Sequence, residues 1–249
     1  ITAAIFALAA LPTFLTLRER AVPLTAPPAR SYLAEGFLQV RDTLRHARRF
    51  KDLFRFLAAL VVFQAGVSTV VVVAAIYAQE VLGFASDELV FLVMVVNVTA
   101  AGGAVLVGHL QDRIGSTRTL TLALAIWIVA IILVFAAGTH GDIWLAANLI
   151  GLAMGSSQSA GRALIGHFTP AARAGEFFGL WGRAARCAAI VGPASYGAIS
   201  WLTGGNQRIA MLSTLGFFVL GLLLVTTVNE ERGRRAAMLV NQRASILRS

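Results

Sequence analysis

A chain of 249 residues in which 57% of the side chains are hydrophobic and only 13% are charged carries about half the charge of an ordinary soluble domain. That composition excludes a water-soluble fold of this length, and the single cysteine, Cys187, excludes a disulfide framework or a cysteine-built zinc site. The net charge of +9 is scattered between apolar segments rather than gathered into a basic domain, which argues against nucleic acid as a partner. In chain order, the first element is the apolar run 1–17, which lacks the basic leader and small-residue cleavage site of a signal peptide and reads as the end of a membrane span.

Residues 18–52 are polar and basic. Pro23, Pro27 and Pro28 break the chain, after which Leu33, Phe37, Val40, Leu44 and Ala47 recur at three- and four-residue steps with Arg41, Arg45 and Arg48 between them. This is an amphipathic helix with a basic face, and two readings stand: a helix lying on an anionic leaflet, or a linker helix packed on the ends of the spans. Further apolar runs follow at 53–78, 89–109, 120–138, 143–165, 177–202 and 209–228. Each approaches the roughly 20 residues needed to cross ~30 Å of hydrocarbon. VSTVVVVAAIYA, residues 67–78, is rich in β-branched side chains, but the run length and the absence of turn signals at strand spacing favour helix.

The connections set the orientation. Segments 18–52, 110–119, 166–176 and 229–249 hold Arg45, Arg113, Arg118, Arg173, Arg232 and other basic residues, whereas QEVLGFASDE and AAGTHGD hold none and the remaining connection only Arg208. Basic connections stay on the cytoplasmic side, so the first set is expected inside.

One inner turn, GHLQDRIGSTRTL (108–120), places Asp112, Arg113 and Arg118 between two apolar runs. Gly108 is expected to let a helix end approach a neighbour, Gly115 to permit the turn, Asp112 to accept hydrogen bonds from a helix N-terminus, and Arg113 and Arg118 to pair with carboxylates or terminal carbonyls. The spacing of Gly108, Leu110, Asp112, Arg113 and Gly115 resembles the signature loop of the major facilitator superfamily, with the last basic residue, Arg118, displaced by one position. SQSAGRALIGHFTPAARAGEFFGLWGRAARCAAIVGP, residues 157–193, is similar to the tenth and eleventh helices of the vacuolar amino-acid effluxer-like branch, on Gln158, Arg162, Pro170, Glu176, Phe177, Phe178, Gly179, Gly192 and Pro193. VNEERGRRAA after the last span is also similar to that branch. Ala185 and Arg186 depart from it, standing where an acid and a lysine are expected, which removes any carboxylate-dependent coupling at that place.

The resemblance implies an all-α membrane protein: the end of the sixth transmembrane helix at 1–17, a cytoplasmic central loop with an amphipathic helix at 18–52, the six-helix C-terminal half of a carrier at 53–232, and a cytoplasmic tail at 233–249. It implies a secondary transporter of the bacterial cytoplasmic membrane that moves a small solute, such as an amino acid or another carboxylate, by alternating access around a midplane site. The partners expected are the lipid bilayer, an N-terminal six-helix half outside this chain, and the small-molecule substrate. The signature turn, Gly108, Asp112, Arg113, Gly115 and Arg118, is the expected gate. The other class consistent with the sequence is a membrane scaffold or regulatory subunit that uses the half-fold for packing without transport.

Polar residues inside the spans are ranked by cost. Ionisable groups at membrane depth face a bundle interior or a water-filled path. Arg186 lies ~6 Å inward of the middle of its span at roughly 1.5 Å per residue, and Arg183 is a turn shallower, within reach of the surface by snorkelling. Gln64 and Asn97 fall near the centres of their spans and Gln158 on the inner side of its own; each is a candidate substrate ligand or an interhelical hydrogen bond worth ~0.6 kcal/mol, the latter favoured for Asn97. Gly151 and Gly155 form a G-x-x-x-G face, and Gly102 and Gly103 thin another helix. Gly192-Pro193 is expected to bend the penultimate span. GLAMGSSQSAG lacks the lysine of a phosphate loop, and His46, His109, His140 and His167 lack ligand spacing, so the sequence indicates no catalytic residue, metal or cofactor.

Overall fold

The chain divides into two compact units, residues 1–38 and 39–249. The structure, a computed structural model, describes residues 10, 11, 15, 16 and 50–246. The expected amphipathic helix of 18–52 and nearly all of the first span lie outside the described residues.

Seven α-helices follow one another among the described residues: α1 (Lys51–Leu82), α2 (Ser86–Ile114), α3 (Ser116–Ala136), α4 (His140–Phe168), α5 (Ala174–Leu202), α6 (Gln207–Thr226) and α7 (Glu230–Ile246). The boundaries follow from local chemistry. α1 stops at Gly83, whose φ of 69° is left-handed and whose N–H bonds back to the Gln79 carbonyl. α4 begins with a capping box in which the Asp142 amide donates to Thr139 Oγ1 at 3.3 Å and the Thr139 amide donates to Asp142 Oδ2 at 2.9 Å. The Gly138 and Thr139 donors hold the Asp142 carboxyl below its usual range. Asn206 caps α6 through Ile209 N, and Asn229 caps α7 through Arg232 N.

Four helices, α1, α2, α3 and α6, are long and apolar enough to cross a membrane by length and composition. α4 and α5 have 29 residues each but carry more small and polar side chains; α4 buries Gly151, Ala153, Gly155, Ser156 and Ser157. α5 runs through Pro193 as one helix. The segment after residue 232, expected only as a tail, is helical to Ile246.

The largest helix pairings are α2 with α4, α1 with α5, α3 with α4 and α1 with α6, so α1 and α4 are central and α2 and α5 flank them. Between helices in lipid there is no hydrophobic driving force, and close backbone approach through small residues replaces it. Gly155 sits against the Ala100 carbonyl and Gly151 against Thr99 and Val96, while Gly103 meets Leu152. Gly192 of α5 fits against the Ala65 carbonyl of α1, and Gly221 of α6 against Phe63. Larger side chains fill the space that remains. Trp127 stacks on Phe218 at 4.8 Å between centroids, and its indole N–H donates to Ser157 Oγ at 3.4 Å, which satisfies a fully buried donor.

Candidate functional site

Polar side chains on α1, α4 and α5 form a layer at one depth. Counting roughly 1.5 Å per residue from the arginine-rich ends, Gln64 of α1 lies at ~20 Å, Gln158 of α4 at ~15 Å and Arg186 of α5 at ~18 Å. Gln64, Ser68, Val71 and Ala75 follow one another along an incompletely buried stripe of α1, because Ala65 and Thr69 are turned to α5 and Gly66 to α6. Met154, Gln158 and Arg162 make a comparable stripe on α4. On α5 the buried positions Ala188 and Gly192 face α1, and the exposed line Gly179, Arg183, Arg186, Ile190 takes another side of the helix.

The layer is not a preformed hydrogen-bonded cluster. Among the described residues Gln64, Gln158, Arg183 and Arg186 make no hydrogen bond or ion pair with each other or with any neighbour. A guanidinium is charged at every accessible pH and presents a planar fork to two oxygens, and Arg186, exposed on α5, has no such partner among the described residues. Asn97 behaves differently from expectation: its side-chain amide donates to the Val93 carbonyl of its own helix at 2.8 Å and forms no bond between helices. It stands at the edge of a cavity of about 200 Å³ between α1, α2 and α4, whose wall also holds Val71, Leu92, Val96 and Met154.

The signature turn joins α2 to α3. Gly115 has the expected positive φ, 88°, with ψ 158°, a region open essentially to glycine alone. A Cβ on Gly108 would meet nothing within 4 Å among the described residues. Asp112 is exposed and caps no helix among the described residues; the N-terminus of α3 is capped by Glu230 of α7, whose Oε2 accepts from the Thr117 amide at 2.9 Å. Asp112, Arg113 and Arg118 are all exposed and without partners among the described residues.

Glu230 is the residue that sequence reasoning missed. Its Oε1 lies 3.0 Å from Nδ1 of His167, which is itself 3.4 Å from Ser116 Oγ. Burial pushes the Glu230 carboxyl up, but the Thr117 amide, His167 and Ser116 outweigh it and leave the group below its ordinary value. Beside it, Arg232 grips the buried Asp52 of α1 bidentately, with both N···O distances 2.6 Å, and Asn229 N donates to the same carboxylate at 3.0 Å. Asp52 in turn raises the Arg232 guanidinium above its usual value. Further along α7, Asn241 Oδ1 accepts from Ala171 N in the connection between α4 and α5, and Gly233 lies against the Phe168 ring. α7 therefore crosses the arginine-rich end of the bundle and ties α1, α3 and α4 together. The single local signal was the acidic pair in VNEERGR; the partners of Glu230, Thr117 and His167, are 113 and 63 residues away.

Comparison with known proteins follows this geometry. The family model described as "Vacuole effluxer Atg22 like" matches residues 1–238. An uncharacterized MFS-type transporter, YxiO of Bacillus subtilis, is 28% identical over 196 residues, covering 79% of this chain and 45% of that protein. Autophagy-related protein 22 of Cryptococcus neoformans is 27% identical over 78% of this chain and 38% of its own length, and that of Saccharomyces cerevisiae is 24% identical over 86% and 42%. The chain thus spans less than half the length of the curated relatives it matches. Among solved structures, a bacterial homolog of the human lysosomal transporter Spinster, inward-facing and unoccupied, superposes with a TM-score of 0.59 at 17% identity, over 92% of this chain and 57% of that one. That likeness identifies the fold, an all-α multi-pass membrane architecture. The family match does more: this chain belongs to the Atg22-like vacuole effluxer family of major facilitator transporters.

Proposed function

We propose that the chain is the C-terminal half of a secondary carrier that moves a small carboxylate-bearing solute, an amino acid among them, by alternating access, and that Arg186 holds the carboxylate with Gln64 and Gln158 beside it. The observation that carries this reading is the unpaired guanidinium of Arg186 in the same layer as two unpaired amides on neighbouring helices. The cavity beside Asn97 offers the apolar part of such a solute a place one or two turns away. The arginine-rich end faces the cytoplasm of a bacterial cell, and the exposed side chains of the signature turn, Asp112 and Arg113, meet the N-terminal half that the longer relatives possess. A single charge-assisted contact of ~1.5–3 kcal/mol at Asp112 is enough to bias a balanced pair of states.

The test replaces Arg186 in the full-length carrier reconstituted in proteoliposomes. Arg186→Lys retains the charge and loses the fork, so uptake of a carboxylate solute is expected to fall at least tenfold while extraction and thermal stability stay normal. Normal uptake by Arg186→Lys together with failure of Arg186→Ala to fold identifies a structural ion pair across the two halves and removes the assignment.

A further inference from the structure

The carboxylate that fixes the signature turn comes from the far end of the chain. α3 starts at a glycine that has no side chain to cap it, and the orphan amide of Thr117 is satisfied by Glu230. A Cβ on residue 115 would come within 3.3 Å of Glu230 Oε2, so the turn and the carboxylate are fitted to each other. We propose that Glu230 is the positioning residue of the signature turn and that His167 makes its grip follow the pH of the solution at the arginine-rich end.

The chemistry is a change in the kind of hydrogen bond. Imidazole is the side chain that changes charge between about pH 5 and 8. With His167 protonated, its Nδ1–H donates to Glu230 Oε1 as a charge-assisted pair, which pins the carboxylate while Oε2 holds the Thr117 amide. With His167 neutral, Nδ1 either donates an ordinary hydrogen bond or, in the other tautomer, presents a lone pair to the carboxylate and turns to the Ser116 hydroxyl, 3.4 Å away. The ring is partly exposed, at 39%, so a proton can exchange with solvent.

Among the described residues no other ion pair reaches Glu230 or His167. From α3 the facing groups are Ser116 and the Thr117 amide, and the exposed Arg118 forms no ion pair among the described residues. From α7, Arg232 is committed to Asp52 of α1 and Arg235 to Glu231. From the α4–α5 connection, Arg173 lies 3.1 Å from Glu176. The sign is fixed by these groups. Glu230 is held below its ordinary value, so its contribution is complete above the carboxylate range and is lost in acid. A charge-assisted imidazole–carboxylate contact needs a protonated ring, which the acid side of neutrality favours.

Hydrogen exchange of the full chain in nanodiscs reads this directly and requires no solute, so it stands apart from any transport assay. Protection factors, corrected for the intrinsic pH dependence of exchange, are compared for the amides of Thr117–Thr119 at pH 6 and pH 8, with α4's first turn at Ile143 as the control. We expect roughly three- to tenfold higher protection at pH 6 in the wild-type chain, a flat profile in His167→Gln, which keeps a neutral donor, and low protection at both values in Glu230→Gln. A wild-type profile that persists in His167→Gln overturns the role of His167, and unchanged protection in Glu230→Gln overturns the proposal as a whole.

Discussion

Gly155 and Gly102 are both glycines in the interior of long helices, yet the two are under opposite constraints. A methyl group on Gly155 would run into the Ala100 carbonyl across the α2–α4 contact, whereas one on Gly102 would meet nothing within 4 Å. Gly155→Ala is therefore expected to destabilise the chain by ~1–3 kcal/mol through forced separation of two backbones. Gly102→Ala is expected to be neutral or to gain up to about 1 kcal/mol from helix propensity. Thermal unfolding of the two variants in detergent checks the pair, and equal melting temperatures would contradict the packing described. The G-x-x-x-G spacing of Gly151 and Gly155 made that contact legible in the sequence. Gly192, Gly221 and Gly233 are just as tightly packed but stand alone in the chain, and their partners Ala65, Phe63 and Phe168 are known only from the fold. Asp112 teaches the same lesson from the other side: the turn was legible, but the identity of the capping carboxylate was not, because Glu230 is 113 residues from Thr117.

At the scale of elements, the apolar runs were legible because a span must satisfy its own backbone and so writes a long uninterrupted signal. α7 carries no such signal. Its helix is polar, and its order derives from tertiary contacts: Asp52 with Arg232, Glu230 with α3, Asn241 with Ala171 and Gly233 with Phe168. Asp52 is the anchor that sets the start of the helix, since it binds both the Asn229 amide and the Arg232 fork. Asp52→Asn keeps the shape and loses the charge, and leaves the guanidinium one acceptor short. Trypsin is then expected to cleave after Arg234 and Arg235, both exposed on α7, several-fold faster than in the wild-type chain, with the spans intact. Unchanged cleavage kinetics would mean that α7 is held without the Asp52 clasp.

At the scale of the whole molecule, the proposed carrier half requires lipid-facing surfaces together with one face that water can reach. The structure distributes its side chains accordingly: Val129 and Leu122 of α3 are exposed and apolar, while the incompletely buried stripes of α1 and α4 carry Gln64 and Gln158. Composition alone indicated a membrane protein, and the depth of the polar residues followed from helix rise. Which side of each helix they take came from the packing glycines, and those are tertiary facts. The most direct measurement of the central claim is labelling by a membrane-impermeant maleimide of single cysteines in full-length protein in sealed vesicles, on a Cys187→Ser background. Cysteines at Gln64 and Gln158 are expected to react with reagent supplied from at least one side, at rates at least tenfold above a cysteine at Val129. Gln64 and Gln158 positions that stay unlabelled from both sides, or that react no faster than Val129, would contradict a solvent-lined carrier path along α1 and α4.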